Sequence, residues 1–125
     1  MVDKTLKILF VEDSEVQQEL GLYRLQDLGF SNVAGASNGL DAITYLENNP
    51  VDLIISDWEM PEMDGIDLLR VVRSTPDFQK IPFVVMSVND NPKRISTAKK
   101  EGVMDFLLKP ATNKTLLETI EKIFN

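Results

Sequence analysis

Short apolar runs alternate with longer segments of helical period along this chain, and the alternation repeats five times. Lys7 to Val11 contains the continuous run Ile8-Leu9-Phe10-Val11, the pattern of a parallel strand buried on both faces. Ser14 opens a helix with Gln17 at the capping-box position, and Val16, Leu20 and Tyr23 supply its predicted inner face. Leu28-Gly29-Phe30 ends it, with glycine placed to close the last turn. Gly21 inside this helix costs about 1 kcal/mol against alanine, so it marks either a packing contact or a weak spot. Asn32 to Ala36 is less hydrophobic and reads as an edge strand. Asn38-Gly39 then leads into a helix with Ala42, Ile43 and Leu46 inward, stopped by Asn48-Asn49-Pro50.

Leu53 to Ser56 forms the third strand, which stops at Asp57; the acidic turn Trp58-Glu59-Met60-Pro61-Glu62-Met63-Asp64-Gly65 follows. A helix from about Gly65 repeats Ile66, Leu69 and Val72 or Arg73 at helical spacing until Ser74-Thr75-Pro76 breaks it. The fourth strand, Ile81 to Met86, carries Pro82 near its start, where a missing N–H is tolerable. Asn91-Pro92 opens the next helix with an N-cap and a first-turn proline. Only Ile95 and Ala98 form an apolar pair there, beside Lys93, Arg94, Lys99 and Lys100, so this fourth helix is expected to be loosely held. Gly102 stops it. Val103 to Leu108 is the fifth strand, and a last helix from about Asn113 has the clearest stripe, Leu116, Leu117, Ile120, Ile123 and Phe124. Strands and helices in strict alternation predict an α/β three-layer sandwich, a parallel sheet covered on both faces with right-handed crossovers.

Composition narrows the chemistry. At 125 residues, with 43% hydrophobic and 26% charged, the chain is expected to form one compact domain spanning residues 1–125. No apolar run approaches the ~20 residues of a membrane span, and the N-terminus lacks the apolar core of a secretory signal, so a soluble cytoplasmic protein is the expectation. A net charge of −7 argues against nonspecific nucleic-acid binding. The chain has no cysteine and no histidine, which excludes disulfides, thiolate metal sites, zinc catalysis and Ser-His triads. Chemistry is left to carboxylates, lysine, hydroxyls or a hard metal.

Polar residues stand directly after four of the five apolar runs: Glu12-Asp13, Asp57, Ser87 and Lys109. Loops are ordinarily polar, so each alone is weak evidence; the set is not, because strand ends of a parallel sheet share one rim and core packing requires no such set. Crowded carboxylates repel and rise in pKa unless a cation joins them. With oxygen ligands only, Mg²⁺ suits Glu12, Asp13 and Asp57. Lys109 adds a point charge and Ser87 a donor for a phosphoryl oxygen. Asp57 is then the candidate nucleophile of an aspartyl-phosphate reaction.

The acidic pair Glu12-Asp13, the Asp57-Trp58-Glu59-Met60-Pro61 turn with Met63-Asp64-Gly65, Ser87, and Lys109-Pro110 together resemble the receiver domain of bacterial two-component response regulators, in its CheY-like single-domain form. The resemblance covers essentially the whole chain. It implies a flavodoxin-like fold of strand order 2-1-3-4-5, with no output domain, and phosphorylation of Asp57 by a phosphohistidine on a sensor histidine kinase. Mg²⁺ would be held by Glu12, Asp13, Asp57 and the backbone carbonyl of Glu59, and Lys109-Pro110 would be cis. Ser87 and Phe106 would be the switch residues, Ser87 moving toward the phosphoryl group and the aromatic rotating inward behind it; Phe106 read alone is equally a plain core aromatic. The fourth helix, fifth strand and last helix would form the face offered to a downstream protein target, with the protein a monomer and chemotaxis one candidate pathway.

Several positions depart from the family pattern. Glu12 replaces the commoner aspartate, and its extra methylene favours a water-mediated metal contact. Phe106 stands for a tyrosine, Val88 for a small alanine whose replacement narrows access to the phosphoryl group, and Ala111 for a phenylalanine. Glu59 and Asn89 flank the site and, with Val88, are expected to tune the lifetime of the acyl phosphate. Two other readings share the motif: a phosphorelay shuttle or phosphate sink with no output of its own, and a Mg²⁺-dependent aspartyl-phosphate hydrolase. The hydrolase would use a second acid two residues after the nucleophile, a spacing Glu59 has, but nothing in the chain supplies a cap. A flavin or nucleotide site is disfavoured, since no glycine-rich loop follows the first strand.

Overall fold

The computed structural model describes residues 2–125. Its elements alternate as read: β1 (Lys7–Val11), α1 (Glu15–Asp27), β2 (Asn32–Ala36), α2 (Gly39–Asn48), β3 (Leu53–Asp57), α3 (Gly65–Ser74), β4 (Phe83–Ser87), α4 (Pro92–Lys100), β5 (Asp105–Leu108) and α5 (Asn113–Phe124). The strands form one parallel sheet in the order β2-β1-β3-β4-β5, the flavodoxin-like arrangement expected.

Strand alternation divides the core in two, because successive side chains point to opposite faces. Leu9, Val11, Ile54, Phe83 and Val85 meet Ala42, Leu46, Leu69, Val72 and Ala98 of α2, α3 and α4. Ile8, Phe10, Leu53, Ile55, Val84, Met86 and Leu107 meet Leu25, Leu116 and Ile120 of α1 and α5. Every residue of β3 and β4 is buried, as central strands covered on both sides must be. Side-chain caps start each helix: Ser14 accepts from Gln17 N–H, Asn38 from Asp41 N–H and Asn91 from Lys93 N–H, while Asp64–Asp67 and Thr112–Thr115 form reciprocal boxes.

The inner face of α1 is not the predicted one. Val16 and Tyr23 are 72% and 62% exposed, and Leu20 is also exposed. Gly21 and Leu25 point inward instead, with Leu22 and Leu28 half-buried. The reason lies in Phe10 on β1. A Cβ on Gly21 would stand 2.2 Å from its ring, so the helix backbone rests directly on that aromatic. Gly21 is therefore a packing contact, not a weak spot.

β4 and β5 start later than read. Ile81 N–H turns back to Phe78 O, and Pro82 joins the sheet only through its carbonyl, which accepts from Ile54 N–H at 3.0 Å. Val103 N–H is taken by Ala98 O at the end of α4 and cannot open a ladder. In α3 the alternative resolves to Val72 as the core residue. Arg73 is half-buried, and its guanidinium donates to the carbonyls of Gly102, Gln79 and Ile81. As expected, α4 is thinly held; Ala98 is its one fully buried side chain.

Candidate functional site

The carboxyl ends of parallel strands share a rim, where ligands of open α/β folds bind. Sheet hydrogen bonding runs one residue past three strands here. Glu12 N–H donates to Ala36 O at 3.0 Å, Trp58 N–H to Met86 O at 2.8 Å, and Lys109 N–H to Ser87 O at 2.9 Å. The backbone carrying Glu12, Asp57 and Lys109 is thus fixed by the sheet itself. The turn after Asp57 is held as tightly: Gly65 N–H donates to Trp58 O at 2.8 Å, and a Cβ on Gly65 would lie 2.3 Å from Asp57 O. Only glycine lets the start of α3 come that close. The Lys109-Pro110 bond is cis.

The side chains converge. Asp57 and Glu12 are 4% and 2% exposed. Lys109 Nζ donates to Glu12 Oε1 at 3.0 Å and stands 3.4 Å from Asp57 Oδ1. Glu12 Oε2 accepts the Ser14 N–H at 3.2 Å, so Glu12 supplies the reciprocal half of the α1 cap that Gln17 was expected to make. One oxygen from each of Glu12, Asp13 and Asp57 lies within 4.8 Å of the others, Asp13 being exposed. Burial pushes the Asp57 carboxyl above its ordinary pKa against the pull of Lys109. Glu12 is raised by burial too, and by the Asp57 charge, with the Lys109 and Ser14 hydrogen bonds opposing. Burial works to lower Lys109, but its Glu12 hydrogen bond and the two carboxylate charges outweigh that and raise it. Three carboxylates face a single ammonium, and Asp57 Oδ1 is buried without a hydrogen-bond donor. An all-oxygen cluster short of positive charge could bind a hard divalent cation.

The remaining expected residues sit around this centre. Ser87 is fully buried, and its hydroxyl donates to Glu59 Oε1 at 3.2 Å while accepting Asn89 N–H at 3.1 Å. Val88 is 71% exposed at the rim, and Asn89 Oδ1 accepts Asn91 N–H ahead of α4. Phe106 is half-buried against Trp58, the ring centroids 6.4 Å apart and edge-on at 67°.

Two participants escaped sequence reasoning. Arg94 of α4 pairs with Glu59 and lies over the Trp58 ring, Cζ 3.9 Å from the centroid. Gln18 of α1 donates to Glu12 O, Ala36 O and Ser37 Oγ at 3.0–3.3 Å, tying the Glu12 loop to the edge strand. Gly35 leaves room for it, since a Cβ there would meet Gln18 Oε1 at 2.3 Å. The one available signal was a glutamine on the same face of α1 as Gly21 and Leu25.

Fold and rim together define a class: a doubly wound α/β protein with a carboxylate cluster and a lysine at the carboxyl edge of its sheet. Residues 8–121 match the model of the response regulator receiver domain. Chemotaxis protein CheY-3 of Vibrio cholerae is 35% identical over 124 residues, covering 99% of this chain and 95% of that protein. Chemotaxis protein CheY of Pseudomonas aeruginosa is 38% identical over 119 residues, covering 95% and 96%. Among solved structures, the chemotaxis response regulator CheY4 of V. cholerae superposes with a TM-score of 0.88 at 29% identity, covering 96% of this chain and 99% of that one. The receiver domain of a signal transduction histidine kinase from Syntrophus aciditrophicus gives 0.85 at 33% identity, covering 95% and 89%. The chain belongs to the response regulator receiver domain family.

Proposed function

We propose that this protein is a response regulator of the CheY-like kind, phosphorylated on Asp57 by the phosphohistidine of a sensor histidine kinase. The observation that carries the proposal is Asp57 Oδ1, buried and unbonded 3.4 Å from the Lys109 ammonium, with Glu12 and Asp13 beside it. An Asp57 oxygen forms the bond to phosphorus as the P–N bond to the donor imidazole breaks, and the electron pair stays with the imidazole nitrogen. Lys109 offsets the charge on the transferred group. Glu12, Asp13, Asp57 and the Glu59 carbonyl would hold Mg²⁺, which when bound supplies further positive charge to the phosphoryl oxygens. Glu59, Val88 and Asn89 line the approach of the water that ends the acyl phosphate, so the protein turns itself over without being a metabolic enzyme.

A hydroxyl has one proton to give. Ser87 gives it to Glu59 in this structure, and must withdraw it to serve a phosphoryl oxygen. Phe106 follows inward, and the α4-β5-α5 face changes for a protein target, with the protein a cytoplasmic monomer and chemotaxis the pathway suggested by its relatives. The thin core of α4 supports this, because switching elements come from the weakly held part of a fold. The test is labelling by a small phosphodonor with Mg²⁺. Label is expected on the wild type and absent from Asp57→Asn; label that survives in Asp57→Asn, or forms without a divalent cation, refutes the assignment. A relay or phosphate sink is the second reading, favoured by the likeness to a histidine kinase's own receiver domain. Transfer of phosphate back to a histidine-containing domain, without gain of affinity for any target, would select it.

A further inference from the structure

Arg94 is an unusual choice for its place. It sits in the first turn of α4, where the helix dipole favours acidic side chains and disfavours a cation. Its guanidinium is compensated from outside the helix, by two residues of the turn that follows Asp57. It stacks on Trp58 with Cζ 3.9 Å from the ring centroid, and it pairs with Glu59 Oε1. That same oxygen accepts the Ser87 hydroxyl at 3.2 Å. The stack continues from Trp58 to the edge of Phe106 at 6.4 Å. Half of the Glu59 side chain is exposed, whereas Arg94 is mostly covered and its Nε is buried without a partner. One carboxylate oxygen therefore joins α4, the loop after β3 and the end of β4.

We propose that Arg94 is a positioning residue that latches the unphosphorylated arrangement. By holding Glu59 in place, it keeps an acceptor in front of Ser87 and draws the hydroxyl proton away from Asp57; by stacking on Trp58, it pins the first turn of α4 while that state lasts. This rests on the reading of Asp57 as phosphoacceptor. A phosphoryl group on Asp57 competes with Glu59 for the single Ser87 proton and adds negative charge near the Glu59 carboxylate. Glu59 then loses a donor, and the Arg94 contact that depended on its position loosens. The latch is specific to a chain with an acid at 59 and a guanidinium at 94.

The sign of the effect separates this from simple charge attraction. A cation that merely neutralised the phosphoryl group would weaken anion binding when removed. A latch strengthens it. Beryllofluoride with Mg²⁺ serves as the probe, titrated against the full chain by the emission of Trp58, its sole tryptophan. Arg94→Ala is expected to bind about three- to tenfold more tightly than wild type, the range of a half-exposed ion pair plus one cation–π contact. Glu59→Ala, which leaves the stack on Trp58 in place, should show a smaller gain, and the double variant no more than Arg94→Ala, because the Glu59 pair is common to both. Arg94→Lys, which keeps the charge but not the planar fork, should fall between. The emission of unliganded Arg94→Ala should also move toward that of beryllofluoride-bound wild type. Unchanged or weaker binding by Arg94→Ala, or additive gains in the double variant, overturns the latch. Failure of wild type to respond to beryllofluoride at all would instead remove the Asp57 reading beneath it.

Discussion

Gly65→Ala tests how rigidly the fold presents Asp57. The added methyl carbon would lie 2.3 Å from Asp57 O, 2.9 Å from Trp58 Cα and 3.1 Å from Asp57 C. All three are backbone atoms at the end of a central, fully buried strand, so no side-chain rotation relieves the clash. Either α3 retreats, or the turn carrying Asp57 moves. Overpacking of this kind costs about 1–3 kcal/mol. Lengthening the 2.8 Å bond from Gly65 N–H to Trp58 O adds about 1 kcal/mol, and the better helix propensity of alanine returns up to about 1 kcal/mol. The net expectation is a loss of about 2 kcal/mol. For a domain of this size that lowers Tm by about 8 °C, readable by circular dichroism or calorimetry. Labelling by a small phosphodonor should slow at the same time, because the displaced atoms belong to Asp57 itself. Gly35→Ala is the internal control: its new carbon meets only the end of the Gln18 side chain, which can swing aside at the cost of its hydrogen bonds, so the loss should be smaller, about 1 kcal/mol. A Gly65→Ala protein as stable as wild type, or no less stable than Gly35→Ala, would refute the argument that close backbone approach dictates this residue.

The cluster's electrostatics make further predictions. Asp57 and Glu12 are both raised, chiefly by burial, so the folded state holds their protons more tightly than the unfolded chain does. Their contribution is fully present below the ordinary carboxylate pKa and is lost as pH rises through the raised values. Without divalent cations, urea midpoints should therefore climb as pH falls from neutral toward that window, and Asp57→Asn should be more stable than wild type at neutral pH, with the gap closing on acidification. A pH-independent gap would contradict the burial argument. Saturating Mg²⁺ should raise wild-type stability by about 2.7 kcal/mol at one hundred times its dissociation constant, and raise Asp57→Asn less. Lys109→Arg puts a bulkier planar head where Nζ meets Glu12 Oε1. It should still label on Asp57 while losing phosphate-dependent partner binding; retained dependence in a pull-down would count against Lys109 as the link to the surface.

Local reading succeeded where the controlling physics was local. The apolar runs of β1 and β3 and the helix openings at Ser14, Asn38-Gly39 and Asn91-Pro92 sit where their patterns place them, since period and capping depend on residues a few positions apart. It failed at α1, where Val16, Leu20 and Tyr23 make the better apolar stripe yet face solvent. The buried face there carries Gly21 and Gln18, residues that hydrophobicity does not flag but that Phe10 and the Ala36 carbonyl select. The strand ends β4 and β5 were set by competition for single N–H groups, which no local window displays.

The candidate site divides along the same line. Residues alone determined that Glu12, Asp13, Asp57, Ser87 and Lys109 would share one rim, because each stands at the carboxyl end of a strand of a parallel sheet. They also determined that only oxygen ligands and one ammonium were on offer. Tertiary structure decided how those groups are engaged: Lys109 bridges Glu12 and Asp57, Glu12 also caps α1, and Ser87 faces Glu59. It alone brought Arg94 across 35 residues onto Glu59 and Trp58. Sequence pattern carries the direction and period of a chain, whereas the pairing of charged side chains depends on which loops the packed layers bring within a few ångströms.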